Sequence, residues 1–337
     1  VLLPLLLVAM SSNAQTKKVG DYIESFTNNA PSGMVPRSYQ YYPEGGDFVC
    51  INGKNRYTRA LYGSNTDYRI ETSDKPVFAL YKAKNYRNVR FIVNGVQLDN
   101  AEYCEARYGK GRRSYILKDK QWGNNAVLYV ECVMMSAQEG GYWKFDAQGF
   151  NGKDVNLRVL MCNIANPKLR RNGDIGADKA GSFEPSPTNE GLVTSEQKFT
   201  STAYVITTPA ASKEVGHIMN IVSSDKKDAK DVAANYEKEL KYFEDMASRI
   251  SFITPDPYLN TLGSALTLAA DGAWDGETWL HGAIGWRMPL AGWRAGYLGD
   301  VLGWNSRAVS HFDAYARSQV TDVPPVIDSP TQDTAMN

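Results

Sequence analysis

A run of short apolar segments broken by Asn-Gly pairs constrains this chain more than any other feature. Phe48–Ile51 runs into Asn52-Gly53, and Val89–Val93 runs into Asn94-Gly95. The dipeptide returns at Asn151-Gly152 and Asn172-Gly173. A type I′ turn needs positive φ at both central residues, so Asn-Gly between alternating apolar runs predicts a hairpin. Further strands are expected at Arg113–Leu117, Ala126–Met135, Tyr142–Ala147, Val155–Asn163, Lys198–Thr207 and Gly216–Val222. Short strands at hairpin spacing predict an antiparallel β-sandwich over residues 47–223. Asn166–Gly191 interrupts the rhythm with Pro, Gly and acids, and reads as a solvated loop.

At Ser224 the period changes. Val232, Tyr236, Leu240, Phe243, Ala247 and Ile250 recur at spacings of four and three, which draws one apolar stripe along a connecting helix over residues 224–253. Ser224 or Asp225 is the expected cap. Pro257–Asp271 reads as a second helix with proline in its first turn. Leu290–Leu302 and Asn305–Gln319 follow as helices, so residues 254–337 open an all-helical domain. These few helices have apolar faces with nothing to cover them, and the chain reads as the N-terminal part of a longer protein.

Residues 1–14 carry an apolar run too short to span a bilayer, followed by Ser12-Asn13-Ala14, a small-x-small cleavage pattern. They are expected to be a signal peptide, with residues 15–46 as an extended lead-in. Export to the periplasm or the extracellular space follows, and no span remains after cleavage. Lys+Arg and Asp+Glu balance at 37 each, so the footprint of a nucleic-acid binder is missing. Cys50, Cys132 and Cys162 sit in apolar strand-like runs, which favours buried thiols over bridges, and Cys104 leaves three pairings open if bridges do form. No Cys-x-x-Cys or His/Cys spacing suggests a metal, and no cofactor is expected.

Five of the seven tryptophans fall between Ala270 and Trp304. Trp274, Trp279, Trp286 and Trp293 lie there among Asp271, Asp275, Glu277, His281, Arg287 and Arg294, with glycines between them. Such polar groups would need partners in a plain core. Indoles stack on the C–H faces of sugar rings, and two carboxyl groups flanking a glycosidic bond can hydrolyse it. Asp271, Asp275 and Glu277 are therefore the candidate acid and base, with Asp271 at a helix C-terminus where the dipole disfavours negative charge. Trp274, Trp279, His281, Trp286, Arg287, Trp293 and Arg294 are the candidate sugar contacts. Asp-Gly pairs also form turns, and Trp-Arg pairs also form scaffold. His311 reads as structural and His217 as unrelated to chemistry.

Asp47–Tyr62 and the block from Thr254 through Arg294 resemble a family of large exported bacterial proteins. Its members join an N-terminal β-sandwich to a six-hairpin (α/α)6 glycosidase-like barrel and are associated with glycan breakdown. The resemblance implies a β-then-α architecture, a truncated (α/α)6 barrel, and Trp274–Arg294 lining its cavity. The expected function is glycoside hydrolase-like action on an oligosaccharide or polysaccharide by carboxylate acid/base catalysis. A polysaccharide lyase using His281 and Arg287 on a uronate, and a non-catalytic glycan-binding protein, stand beside it.

Overall fold

The computed structural model describes residues 41–54, 57–63, 65, 68–82, 85–150, 154–163, 192–209, 217–281 and 292–319. Antiparallel strands come first and helices follow. The strands are β1 (Tyr42–Glu44), β2 (Asp47–Ile51), β3 (Tyr57–Tyr62), β4 (Arg69–Ser73), β5 (Val77–Lys82), β6 (Asn85–Val93), β7 (Val96–Gln97) and β8 (Tyr103–Gly109). They continue as β9 (Arg112–Lys118), β10 (Val127–Met134), β11 (Gly141–Gln148), β12 (Val155–Cys162), β13 (Leu192–Phe199), β14 (Thr202–Pro209) and β15 (His217–Ser223). One sheet runs β1-β2-β8-β9-β10-β11-β14-β15, the other β13-β12-β6-β5-β4-β3, with β7 on β6.

Alternation along the strands brings two aromatic faces together. Phe78 and Phe91 of the second sheet meet Tyr115, Trp143 and Phe145 of the first. Phe78 and Trp143 stand 5.4 Å apart at 81°, and Phe91 and Phe145 stand 5.0 Å apart at 71°. Edge-to-face pairs of this kind contribute about 0.5–1.5 kcal/mol each beyond the area they bury. All four cysteines are buried and unbridged, and pack as small hydrophobes.

Turn chemistry explains which hairpins form. Asn94 and Gly95 take φ of 46° and 83° and close β6 onto β7, as the sequence predicts. The Asn52-Gly53 hairpin is corrected: β2 pairs with β1 and β8, whereas β3 belongs to the other sheet. Asn52 instead reaches across to β8, donating its N–H to the Cys104 carbonyl and accepting the Cys104 N–H on its side chain. The β8–β9 hairpin turns on Lys110-Gly111 with φ of 49° and 77°, a pair that sequence reading passes over because lysine is no turn signature. Lys198–Thr207 is not one strand. The chain breaks at Thr200-Ser201, placing β13 and β14 in different sheets. The Asn151-Gly152 and Asn172-Gly173 turns and the 166–191 loop lie outside the described residues, apart from the ends of the flanking strands.

Four helices complete the described chain: α1 (Ala229–Ala247), α2 (Pro257–Gly272), α3 (Gly292–Val301) and α4 (Asn305–Arg317). The expected stripe docks α1 on the outer face of the first sheet, with Tyr236, Phe243 and Ala247 buried. Tyr236 packs on Tyr204 at 5.6 Å and donates its hydroxyl to Glu131. Arg112 then ties Glu131 to Glu244 on the helix, at 3.0 Å each. The start is later than expected: Ser224 and Asp225 form a turn, and Asp228 occupies the cap position without a side-chain bond. In α2 the Asp256 carboxylate accepts the Tyr258 N–H at 2.8 Å ahead of Pro257. No helix among the described residues is long and apolar enough to cross a membrane.

Candidate functional site

The tryptophan-rich segment begins where α2 ends. Asp271 lies in the last turn of that helix, 1 % exposed, and its carboxylate pairs with Arg307 of α4 at 2.8 Å. The next residues fold back on themselves. Leu280 donates its N–H to the Ala273 carbonyl at 2.8 Å, Asp275 donates to Thr278 at 3.1 Å, and Trp274 bridges Trp279 antiparallel. Gly276, at φ 104°, makes the reversal possible. The Asp275 carboxylate sits inside this loop and accepts the N–H groups of Glu277 at 3.0 Å and Thr278 at 2.7 Å. Those bonds fix the turn.

Beneath the loop the indoles close on one another. Trp274 and Trp279 stand 4.8 Å apart at 62°, and Trp279 stacks at 24° on Trp304. Arg307 lies over the Trp304 ring at 4.4 Å and over Trp274 at 5.4 Å while holding Asp271. From α4, His311 accepts the Trp279 N–H on Nδ1 at 3.1 Å, which places the ring proton on Nε2. His311 is fully buried. Trp279 is 0 % and Trp274 5 % exposed, so the expectation that these two rings line an open cavity is corrected. They give a sugar no open face: Trp304 and His311 pack against Trp279, and Arg307 lies over Trp274. The indoles are the floor of the loop, and Asp271 is a buried ion-pair partner below it.

What reaches solvent is the rim. Glu277 is exposed at the loop tip and pairs with Arg317 of α4, itself exposed. Ser310 donates its hydroxyl to the Glu277 carbonyl at 2.9 Å, tying the tip to α4. His281 is exposed at the end of the loop. Trp286 and Arg287 lie outside the described residues. Trp293 and Arg294 fall in the first turn of α3, with side chains outside the description. Sequence reading missed Arg307, Trp304 and Arg317 as members of the cluster. For Trp304 and Arg307 a signal was available, since Trp304, Arg307, His311 and Tyr315 recur at helical spacing; Arg317 lies off that row.

Residues 87–229, from within β6 to the first residue of α1, match a family model described as a domain of unknown function (DUF4450). That segment is similar to DUF4450. The match covers less than half of the chain and stops short of the tryptophan-rich loop. No curated protein matches the chain.

Proposed function

We propose that this chain belongs to an exported protein that acts on glycans, and that it joins a β-sandwich to the opening of an (α/α)6-type helical domain. The reaction is hydrolysis of an oligosaccharide or polysaccharide by carboxyl acid/base chemistry, with Glu277 as the acting acid and His281 as its polar neighbour. One observation carries this reading: the Ala273–Leu280 loop is pinned from below by buried indoles while Glu277 and His281 remain exposed at its rim. A catalytic carboxyl has to be both held and reachable, and Glu277 meets both conditions. Asp275 is turned into the loop onto backbone N–H groups and Asp271 is buried against Arg307, so neither is offered at the rim as Glu277 is. Sugar contact falls to His281, Trp286, Arg287, Trp293 and Arg294.

Support for the helical domain comes from faces left bare. Leu259 and Leu266 on α2, Tyr297 and Val301 on α3, and Val309 and Phe312 on α4 are exposed. Large apolar side chains in that number on three neighbouring helices call for a covering layer, which further helices of a barrel would supply. The non-catalytic glycan-binding reading gains from a separate observation: each acid in the segment has a structural partner.

Incubation with neutral and uronate-containing polysaccharides separates these readings. New reducing ends without near-ultraviolet absorption are the expected result. An unsaturated, absorbing product would replace hydrolysis with elimination. Oligosaccharide binding without turnover would leave only the binding protein.

A further inference from the structure

β4 is buried on both faces, and the C-terminal end of α2, a helix that packs on β1, β3 and β8, is bonded to its first residue, Arg69. Ile70 and Thr72 point toward the first sheet, while Arg69 and Glu71 point away from it. Arg69 donates from Nη1 to the Tyr68 carbonyl at 2.7 Å and from Nη2 to the Gly272 carbonyl at 2.6 Å. The second bond spans 203 residues of chain and fastens the C-terminal end of α2. A cation there complements the partial negative charge of the last helical carbonyls. The guanidinium also lies 5.2 Å from the Tyr62 ring, and a Cβ at position 272 would strike that same ring, so only glycine permits the approach.

Two residues along the same face, Glu71 is 1 % exposed and neither carboxyl oxygen has a hydrogen-bond partner among the described residues. Its cross-strand neighbours are Ala60 on β3 and Ala79 on β5, which offer it nothing polar. Among the described residues the titratable and charged groups on this face are Arg69 on β4 itself and, opposite Arg69, Tyr62 on β3 and Tyr81 on β5. Among these only Arg69 carries a charge acting on the carboxyl, and burial outweighs it, pushing the group up to about 8. Glu71 is then a neutral acid around neutral pH.

We propose that Glu71 is a proton-operated latch: protonated, it leaves Arg69 on the Gly272 carbonyl, and ionised, it draws Arg69 away and loosens α2 from β4. A bare carboxylate in this setting is unfavourable unless a cation meets it, and Arg69 is the cation within reach. The guanidinium is charged in either bond, but in a buried setting a full negative charge attracts it more strongly than a carbonyl dipole does, so the ionised acid wins the competition. The bond it breaks holds the helix end from which the tryptophan loop departs, so the proton on Glu71 governs how firmly that loop is seated. The folded group lies above the ordinary carboxylate value of about 4.3. Its contribution to stability is therefore complete below that pH and is lost as pH rises through about 8.

Hydrogen exchange between Leu268 and Ala273, corrected for the intrinsic pH dependence of exchange, reads the latch in the intact chain. Opening of this turn is expected to grow by up to about tenfold per pH unit between about pH 5 and 8, with the centre of β10 unaffected. In Glu71→Gln the profile is expected to be flat. An infrared band from a buried protonated carboxyl in the wild type, present near about pH 6 and gone near about pH 9, provides a reading that does not depend on how the variant folds. A flat wild-type profile, equal steepness in Glu71→Gln, or no protonated band near about pH 6 would each overturn the proposal.

Discussion

At the scale of single residues, two ion pairs in the tryptophan segment look alike in sequence and differ in energy. Arg307 and Asp271 meet with Asp271 almost wholly buried and the guanidinium pressed between two indoles. Removing the guanidinium strands a buried charge and leaves a void beside Trp304. Arg307→Ala is expected to destabilise the protein by about 3–5 kcal/mol, read as a lowered denaturant midpoint. Glu277 and Arg317 are both more than half exposed, at 62 % and 61 % of their side chains. Glu277→Gln is expected to shift the midpoint by no more than about 0.5 kcal/mol, so its effect on activity can be read without a stability correction. Asp275→Ala falls between the two. It strips two N–H groups of their acceptor in a partly buried turn and is expected to cost about 1–2 kcal/mol.

Among the elements, α1 shows how a stripe legible in sequence becomes a docked helix. Phe243 sits over the β8–β9 turn, close enough that a Cβ at Gly111 would lie 2.7 Å from the Phe243 Cβ. Phe243→Ala is expected to cost about 3–4 kcal/mol by the cavity it leaves. Tyr236→Phe is expected to cost about 1–2 kcal/mol, because Glu131 keeps Arg112 when the phenol is lost. Thermal or chemical unfolding of each variant checks both values. The stripe of α1, the proline start of α2 and the Asn94-Gly95 hairpin were legible because local chemistry alone specifies them. β4 was not, because all five of its residues are buried, the polar Arg69, Glu71 and Ser73 among them, which defeats any pattern of apolar-in and polar-out. The tryptophan segment was legible as special but not as to its purpose. Trp274 and Trp279, read as sugar platforms, meet Arg307 and His311 of α4, a contact that no short-range spacing reveals.

In the whole molecule, the helices meet the strands through the α1 stripe on the first sheet and through α2, which packs on β1, β3 and β8 and is tied to β4 by the Arg69–Gly272 bond. Gly272→Ala drives a methyl group into the Tyr62 ring. It is expected to release the end of α2, lowering near-ultraviolet circular dichroism from the tryptophan cluster while the strand signal persists. Simultaneous loss of both signals would mean that strands and helices cannot separate. The same frame carries the loop whose rim bears Glu277, and there the functional reading stands or falls. Turnover of an oligosaccharide that the wild type hydrolyses should be measured beside Glu277→Gln. A loss of about a hundredfold or more with affinity unchanged is the expected result; full turnover by Glu277→Gln would contradict it.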